Sequence, residues 1–288
     1  MITRIMPKLD IKGPNLVKGV HLEGLRVLGK PWWFAKYYYE QGADELIYID
    51  VVASLYGRNS LLQFVEQTSK EIFIPITAGG GLRTIDDIRD VLRAGADKVA
   101  LNTAAIKRPE LIREAAGRFG SSTIVVAIEA QKHDNGTYEA YVENGREPTG
   151  VEVFAWAKRV AELGAGEIFI TSIDQEGTGG GYDLNLIRKV ADSVPIPVIA
   201  CGGAGDLEHV YQAVSEGHAD AVSMASMLHY NFIEHCKISD EDFYEEGNIV
   251  FLKSGLTAYR AQNASIPEIK QFLQRRGVNC REVQGPCS

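Results

Sequence analysis

Two carboxylic acids and two glycine-rich turns are the residues of this 288-residue sequence best suited to chemistry. Asp10 closes the apolar run RIMPKLD, and Glu129 closes TIVVAIE. Two acids held across one pocket can divide the work of proton donor and proton acceptor when their surroundings set their pKa values apart. The spacing leaves open which is which. Either residue alone has a plainer reading, as a strand-end carboxylate that caps a turn or pairs with a lysine such as Lys18. Gly79-Gly80-Gly81 and Cys201-Gly202-Gly203-Ala204-Gly205 each follow an apolar run and lead into a helical pattern, where backbone N–H groups can approach an anion. Asn102-Thr103 and Ala225-Ser226 complete each turn with further donors. One such turn is weak evidence, because tight turns need glycine for positive φ in any case, but two suit an elongated ligand with a phosphate at each end.

The elements that must position these groups follow from the alternation of patterns. RIMPKLD, ELIYID, IFIPITA, KVALN, TIVVAIE, EIFITSI, IPVIAC and DAVSMA read as strands, each followed by a Gly-, Asn- or Asp-rich turn. Helical patterns fall between them at roughly 31–41, 59–70, 84–94, 109–118, 149–163, 183–193, 206–216 and 265–276, with start signals at Thr84 and Asp206. Eight such units predict one α/β domain over 1–288, a (β/α)8 TIM barrel with its chemistry at the strand C-termini. An internal repeat supports this: GADELIYID at 42–50 resembles GAGEIFITSID at 164–174, and PITAGGG at 75–81 resembles PVIACGG at 197–203, both offset by 122 residues. A shared offset indicates two similar half-barrels, which sets the two acids, and likewise the two phosphate sites, across the mouth from each other. Two segments break the repeat. Asn135-Gly136 predicts a β-hairpin at about 131–147, a candidate lid, and the stretch at about 231–264 reads as an insertion beside the mouth.

Composition narrows the function. A net charge of -8 disfavours nucleic acid, and no apolar run is long enough to span a bilayer. The first residues lack the pattern of a signal peptide, and Cys201, Cys236, Cys280 and Cys287 form no C-x-x-C pair, so reduced thiols in the cytoplasm are expected. Cys280 and Cys287 close a tail expected to be loosely ordered. His229, His235 and Cys236 lie close in sequence without a fourth ligand in register, so no metal is expected. No G-x-S-x-G elbow occurs, and Cys201 has no identifiable histidine partner, which leaves covalent catalysis and any cofactor without support.

Outside the insertion and tail, the chain resembles the HisF family, the cyclase subunit of imidazole glycerol phosphate synthase. The resemblance is carried by LDIKGPNLVKG at 9–19, GADELIYID, TAGGGLRT at 77–84, GADKVALNTAA at 95–105, GREPTG at 145–150, GAGEIFITSID, EGTGGGYD at 176–183 and IPVIACGGAG at 196–205. It implies a barrel that takes ammonia from a separate glutaminase subunit, its partner in a heterodimer. The ammonia is added to a bis-phosphorylated formimino-aminoimidazole carboxamide ribotide, giving imidazole glycerol phosphate and aminoimidazole carboxamide ribotide. It further implies acid and base roles for Asp10 and Glu129, and a mobile loop bearing Lys18. Asp50, Asn102, Thr171 and Ser226 match active-site positions, as do Asp174, Glu176 and Gly177 of the turn Asp174-Gln175-Glu176-Gly177-Thr178. On the opposite face Arg4, Glu45, Lys98 and Glu167 match an ammonia gate, and Asp97 is placed to extend the docking face.

Three positions depart from the family pattern. Glu129 and Glu176 stand where the family has Asp, and Lys8 stands where it has a small residue. Each longer acid moves its carboxylate by about one methylene, a displacement able to cost roughly a hundredfold in rate. Three other readings therefore stand beside the cyclase: a paralogue that uses ammonia to form acetamidino sugars of surface or flagellar glycans, a non-catalytic scaffold that activates a glutaminase, and a phosphosugar isomerase. The gate residues disfavour the isomerase, and Asp10 with Lys18 disfavours the scaffold.

Overall fold

The structure, a computed structural model, describes residues 2–53, 61–236 and 261–282. In β1 (Arg4–Lys12) the side chains alternate, as a strand requires. Ile5, Leu9 and Ile11 pack outward against helices, while Met6 meets Ile47, Val125, Phe169, Ile199 and Ala221 in a separate apolar cluster. Those partners come from β4 (Leu46–Asp50), β7 (Ile124–Lys132), β10 (Glu167–Ser172), β11 (Val198–Cys201) and β12 (Ala221–Met224). Residues from five other strands can meet Met6 only if the sheet closes on itself. It does: β1, β4, β5 (Ile76–Gly79), β6 (Lys98–Leu101), β7, β10, β11 and β12 pair in parallel, and β12 returns to β1. This is the expected (β/α)8 barrel, its inner cluster filling the bore.

Helices α1 (Pro31–Glu40), α2 (Leu61–Ser69), α3 (Ile85–Arg93), α4 (Thr103–Lys107), α5 (Glu110–Phe119), α6 (Val153–Glu162), α7 (Leu184–Ala191), α8 (Leu207–Ser215), α9 (Ser226–His235) and α10 (Ile266–Arg275) are the described α-helices. Thr84 and Asp206 cap α3 and α8, each accepting a backbone N–H of the first turn. No described helix is long and apolar enough to cross a membrane. At the strand N-termini one device recurs. Asp44, Asp97 and Asp220, each just ahead of a strand, accept the N–H of Ile5, Ile76 and Val198 on the preceding barrel strand at 2.8–2.9 Å. Asp97 therefore clamps the barrel through one carboxylate oxygen while remaining exposed. Lys270 of α10 and Arg281 both pair with Asp44, at 2.7 and 3.0 Å, fastening the C-terminal segment beneath the barrel.

Several expectations are corrected. The hairpin after the fifth barrel strand is present as β8 (Tyr138–Val142) and β9 (Glu147–Glu152), but it does not break the repeat, because β2 (Asn15–Val20) and β3 (Glu23–Gly29) form its counterpart after β1. The helix expected from 149 starts only at Val153: β9 pairs with β8 through Glu152, whose side chain then caps the helix through Phe154 N and Ala155 N. The stretch assigned to an insertion from 231 begins inside α9, and residues 237–260 of it lie outside the described residues. The tail is ordered as far as it is described, for Cys280 is buried and bridges Thr3, with Thr3 N donating to Asn279 O at 2.8 Å. Cys287 lies outside the described residues.

Candidate active site at the barrel mouth

The two hairpins meet over the C-terminal end of the barrel. Asn144 Nδ2 donates to Leu22 O at 3.2 Å, joining tip to tip, and His21 N donates to Glu176 O at 2.8 Å. Both tips use left-handed backbone at non-glycine residues: His21 and Leu22 at φ 50° and 62°, Glu143 and Asn144 at 55° and 58°. Beneath them lies a cavity of about 330 Å³, whose walls include Lys8, Asp50, Asn102, Glu129, Glu143 and Thr171.

Asp10 is buried, and Lys8 Nζ donates to its Oδ2 at 3.0 Å. Lys8 Nζ is also 3.0 Å from Oδ1, which has no bond of hydrogen-bonding geometry among the described residues. Lys18, the partner expected for such an acid, instead pairs with Glu176 at 2.6 Å. Glu129 is half-buried and accepts the Gly145 N–H at 2.7 Å. Burial raises its pKa to about 7, with nearby Asp10 pushing the same way and the Gly145 N–H and Lys8 pulling it down. For Glu176 burial acts upward, but Lys18 and then Lys8 outweigh it and bring the carboxylate down to about 2. Burial takes the Cys201 thiol up to about 12, so it is a poor nucleophile. Lys18 sits on β2, in the hairpin that follows β1, at 2% exposure.

The first anion cradle opens into the cavity. Gly80, Gly81, Asn102 and Thr103 line it, joined by Arg83, Lys107 and Arg108. Thr103 Oγ1 accepts the Glu143 N–H at 3.2 Å, and Asn102 Nδ2 donates to Tyr141 O at 3.2 Å. The second cradle, Gly202, Gly203, Ala225 and Ser226, is not part of this cavity wall. The segment after β10 crosses it closely. A Cβ on Gly202 would stand 2.8 Å from Ser172 O and 3.4 Å from Glu176, and one on Gly203 would collide with Gly181 O. The same segment carries Gly177 (φ 76°), where a Cβ would meet the Gly19 carbonyl of β2. Asp174 fixes its start, accepting from Lys132 N at 2.8 Å and from Gln131 Nε2.

At the other end of the bore four charges close a ring. Arg4 Nη1 lies 3.0 Å from Glu45 and 3.1 Å from Glu167, and Lys98 Nζ lies 2.8 Å and 3.0 Å from the same two acids. Thr77 Oγ1 also donates to Glu45. His229, singled out above with His235 and Cys236, is a packing residue instead, its Nδ1 meeting the Tyr38 hydroxyl at 2.6 Å where α1 packs on α9. Burial, then Lys18 and Lys8, lower its pKa to about 3 and keep it neutral. The sequence reading missed Lys8, Glu143 and the cradle cations Arg83, Lys107 and Arg108 as site residues. For Lys8 a signal existed, since it lies two residues before Asp10 and so on the same strand face.

An acid at a raised pKa faces a lysine-paired acid across a closed barrel bearing a cation-lined anion cradle, which defines an α/β-barrel enzyme of small-molecule metabolism. Residues 4–234 match the family described as "Histidine biosynthesis protein", and the chain belongs to it. It is 59% identical over 205 residues, 71% of this chain and 97% of the relative, to the imidazole glycerol phosphate synthase subunit HisF of Legionella pneumophila. It is also 52% identical over 230 residues, 78% of this chain and 90% of the relative, to the subunit of the same name from Synechococcus sp. (strain CC9605).

Proposed function

We propose that the chain is the cyclase subunit of an imidazole glycerol phosphate synthase. It uses ammonia to convert the bis-phosphorylated formimino-aminoimidazole carboxamide ribotide to imidazole glycerol phosphate and aminoimidazole carboxamide ribotide. The observation that carries the chemistry is the pair of unlike acids: Asp10 beside the Lys8 ammonium and Glu129 with its pKa raised to about 7. Building ammonia into the acceptor and expelling the ribotide needs at least one proton delivered and one removed. Glu129, partly protonated at neutrality, is the donor in this reading, and Asp10 is the acceptor. Asn102, Thr103 and Gly80–Gly81 with Lys107 hold one phosphate, and Gly177, Gly202, Gly203, Ala225 and Ser226 hold the other.

The glutaminase docks on the face where the strands begin. Support comes from Ile2 and Phe73, 60% and 76% exposed and just ahead of β1 and β5, which leave apolar surface near the charged ring. Opening of the Arg4–Glu45–Lys98–Glu167 ring then admits neutral ammonia to the apolar bore of Met6, Ile47, Val125, Phe169 and Ile199. The scattered free thiols of Cys201, Cys236 and Cys280 suit a cytoplasmic enzyme.

The test mixes the protein with ammonium salt and the bis-phosphorylated intermediate, follows its loss by absorbance, and repeats the assay with Asp10→Asn. Turnover that falls by roughly 10²–10⁴-fold in the variant supports the reading. No turnover by the folded wild-type protein overturns it and turns the search for an ammonia acceptor to sugar nucleotides.

A further inference from the structure

Lys8 is a buried ammonium that takes no proton-transfer step in the acid–base scheme above. It points into the barrel from β1, is 4% exposed, and forms part of the cavity wall. Around it stand Asp10 on its own strand, Glu129 on β7, Glu176 from the segment after β10, Cys201 on β11, His229 on α9 and Lys18 on β2. Cys201 remains a thiol and His229 remains neutral, so the charge of the cluster rests on two ammonium groups and three carboxyls. Lys18 is matched by Glu176 at 2.6 Å and Lys8 by Asp10 at 3.0 Å. Glu129 is left without an ammonium partner of its own, its carboxylate bonded by the neutral Gly145 N–H. A third negative charge in so buried a group is costly, and a proton on the unmatched carboxyl removes it.

We propose that Lys8 is a positioning residue that divides the labour between the two acids, holding Asp10 as the carboxylate and leaving Glu129 as the member that carries the proton. The inference rests on the acid–base reading above. The raised Glu129 and lowered Glu176 agree with the charge count. Lys8 is no nucleophilic amine: burial opposes its charge, but Asp10 and Glu176 outweigh burial and hold it as the ammonium.

The test is a carboxyl ¹³C NMR titration of labelled protein between pH 5 and 9, for wild type, Lys8→Met and Lys8→Arg, with the pH–rate profile measured in parallel. In the wild type the Glu129 signal is expected to titrate near neutrality. In Lys8→Met the two acids should share a proton, Asp10 moving upward by at least about one pH unit, because an opposite charge at this range is worth about 1–3. The acid limb of the profile should rise with it, and Lys8→Arg should restore both. A Lys8→Met variant that is merely slower, with titrations and limbs unmoved, would show that Lys8 only packs the bore and overturn the proposal. If that variant does not fold, the wild-type titration decides: an Asp10 signal that protonates near neutrality overturns it. Absence of ammonia-dependent turnover would count against the function while leaving the titrations to judge Lys8.

Discussion

The two half-barrels share a scaffold and differ in their charges. Glu45 and Glu167, 122 residues apart, both serve the ring at the strand N-termini. At the same offset, Gly80 is crossed by the backbone of Asp50 and Gly202 by that of Ser172. The next glycines repeat the relation, Gly81 against Ala53 and Gly203 against Gln175. Yet the first cradle lines the cavity and gathers Arg83, Lys107 and Arg108, while the second stands outside that cavity wall, beside a segment tied to β2 by the buried Lys18–Glu176 pair. The acids diverge likewise, Asp10 beside an ammonium and Glu129 without one. A duplicated frame thus fixes where groups stand, and unduplicated side chains fix what each half does.

Changing the acids should break the comparison most visibly. Asp10→Asn removes the hydrogen-bond partner of Lys8 and should lose about 1–3 kcal/mol in denaturant unfolding at pH 8, less than a fully orphaned charge would cost because Glu129, ionised at that pH, stands near enough to offset it. Glu129→Gln should do the opposite. The folded state keeps the Glu129 proton up to about pH 7, whereas the unfolded chain releases it near its ordinary value of 4.5. The Glu129 contribution to wild-type stability therefore falls as pH rises from about 4.5 to 7 and levels off above, while that of the buried neutral His229 rises over part of the same window. Glu129→Gln removes that slope and should be more stable at pH 8 by on the order of 2 kcal/mol, although inactive. A stability difference between Glu129→Gln and wild type that did not grow across that window would refute the raised value.

The glycine pairs sharpen the likeness. Gly80→Ala and Gly202→Ala each force a Cβ onto a crossing carbonyl at φ 102° and 93°, and both should lower the midpoint of unfolding by an equivalent of about 2–3 kcal/mol. Equal losses would confirm equivalent roles, and a neutral Gly202→Ala would show that the second segment yields readily. The smallest effect belongs to Lys107, which is largely exposed on the open cradle. Lys107→Ala should raise KM several-fold, about 1 kcal/mol, with kcat little changed. An unchanged KM would remove Lys107 from the phosphate site.

Much of this was legible in one dimension. The eight strands, the cap residues Thr84 and Asp206 and the 122-residue offset depend on periodicity and local hydrogen bonding, which neighbours in sequence decide. The β2–β3 hairpin was not legible, because its turn is built from His21 and Leu22 rather than glycine or asparagine and is held by bonds to Glu176 and Ile173 far along the chain. For the same reason β9 resembled the start of a helix: only pairing with β8 keeps Glu147–Glu152 extended.

The sequence alone determined the barrel and the strand ends that carry Asp10 and Glu129, since both follow from residue type and spacing along single elements, whereas the four ring charges were marked only by resemblance to a known family. Only the tertiary structure decided that Lys8 pairs with Asp10, that Lys18 turns to Glu176, and that Glu129 keeps its proton toward neutrality. Charge state depends on burial and on the distance to every other charge, and closing the barrel brings together groups that lie more than a hundred residues apart.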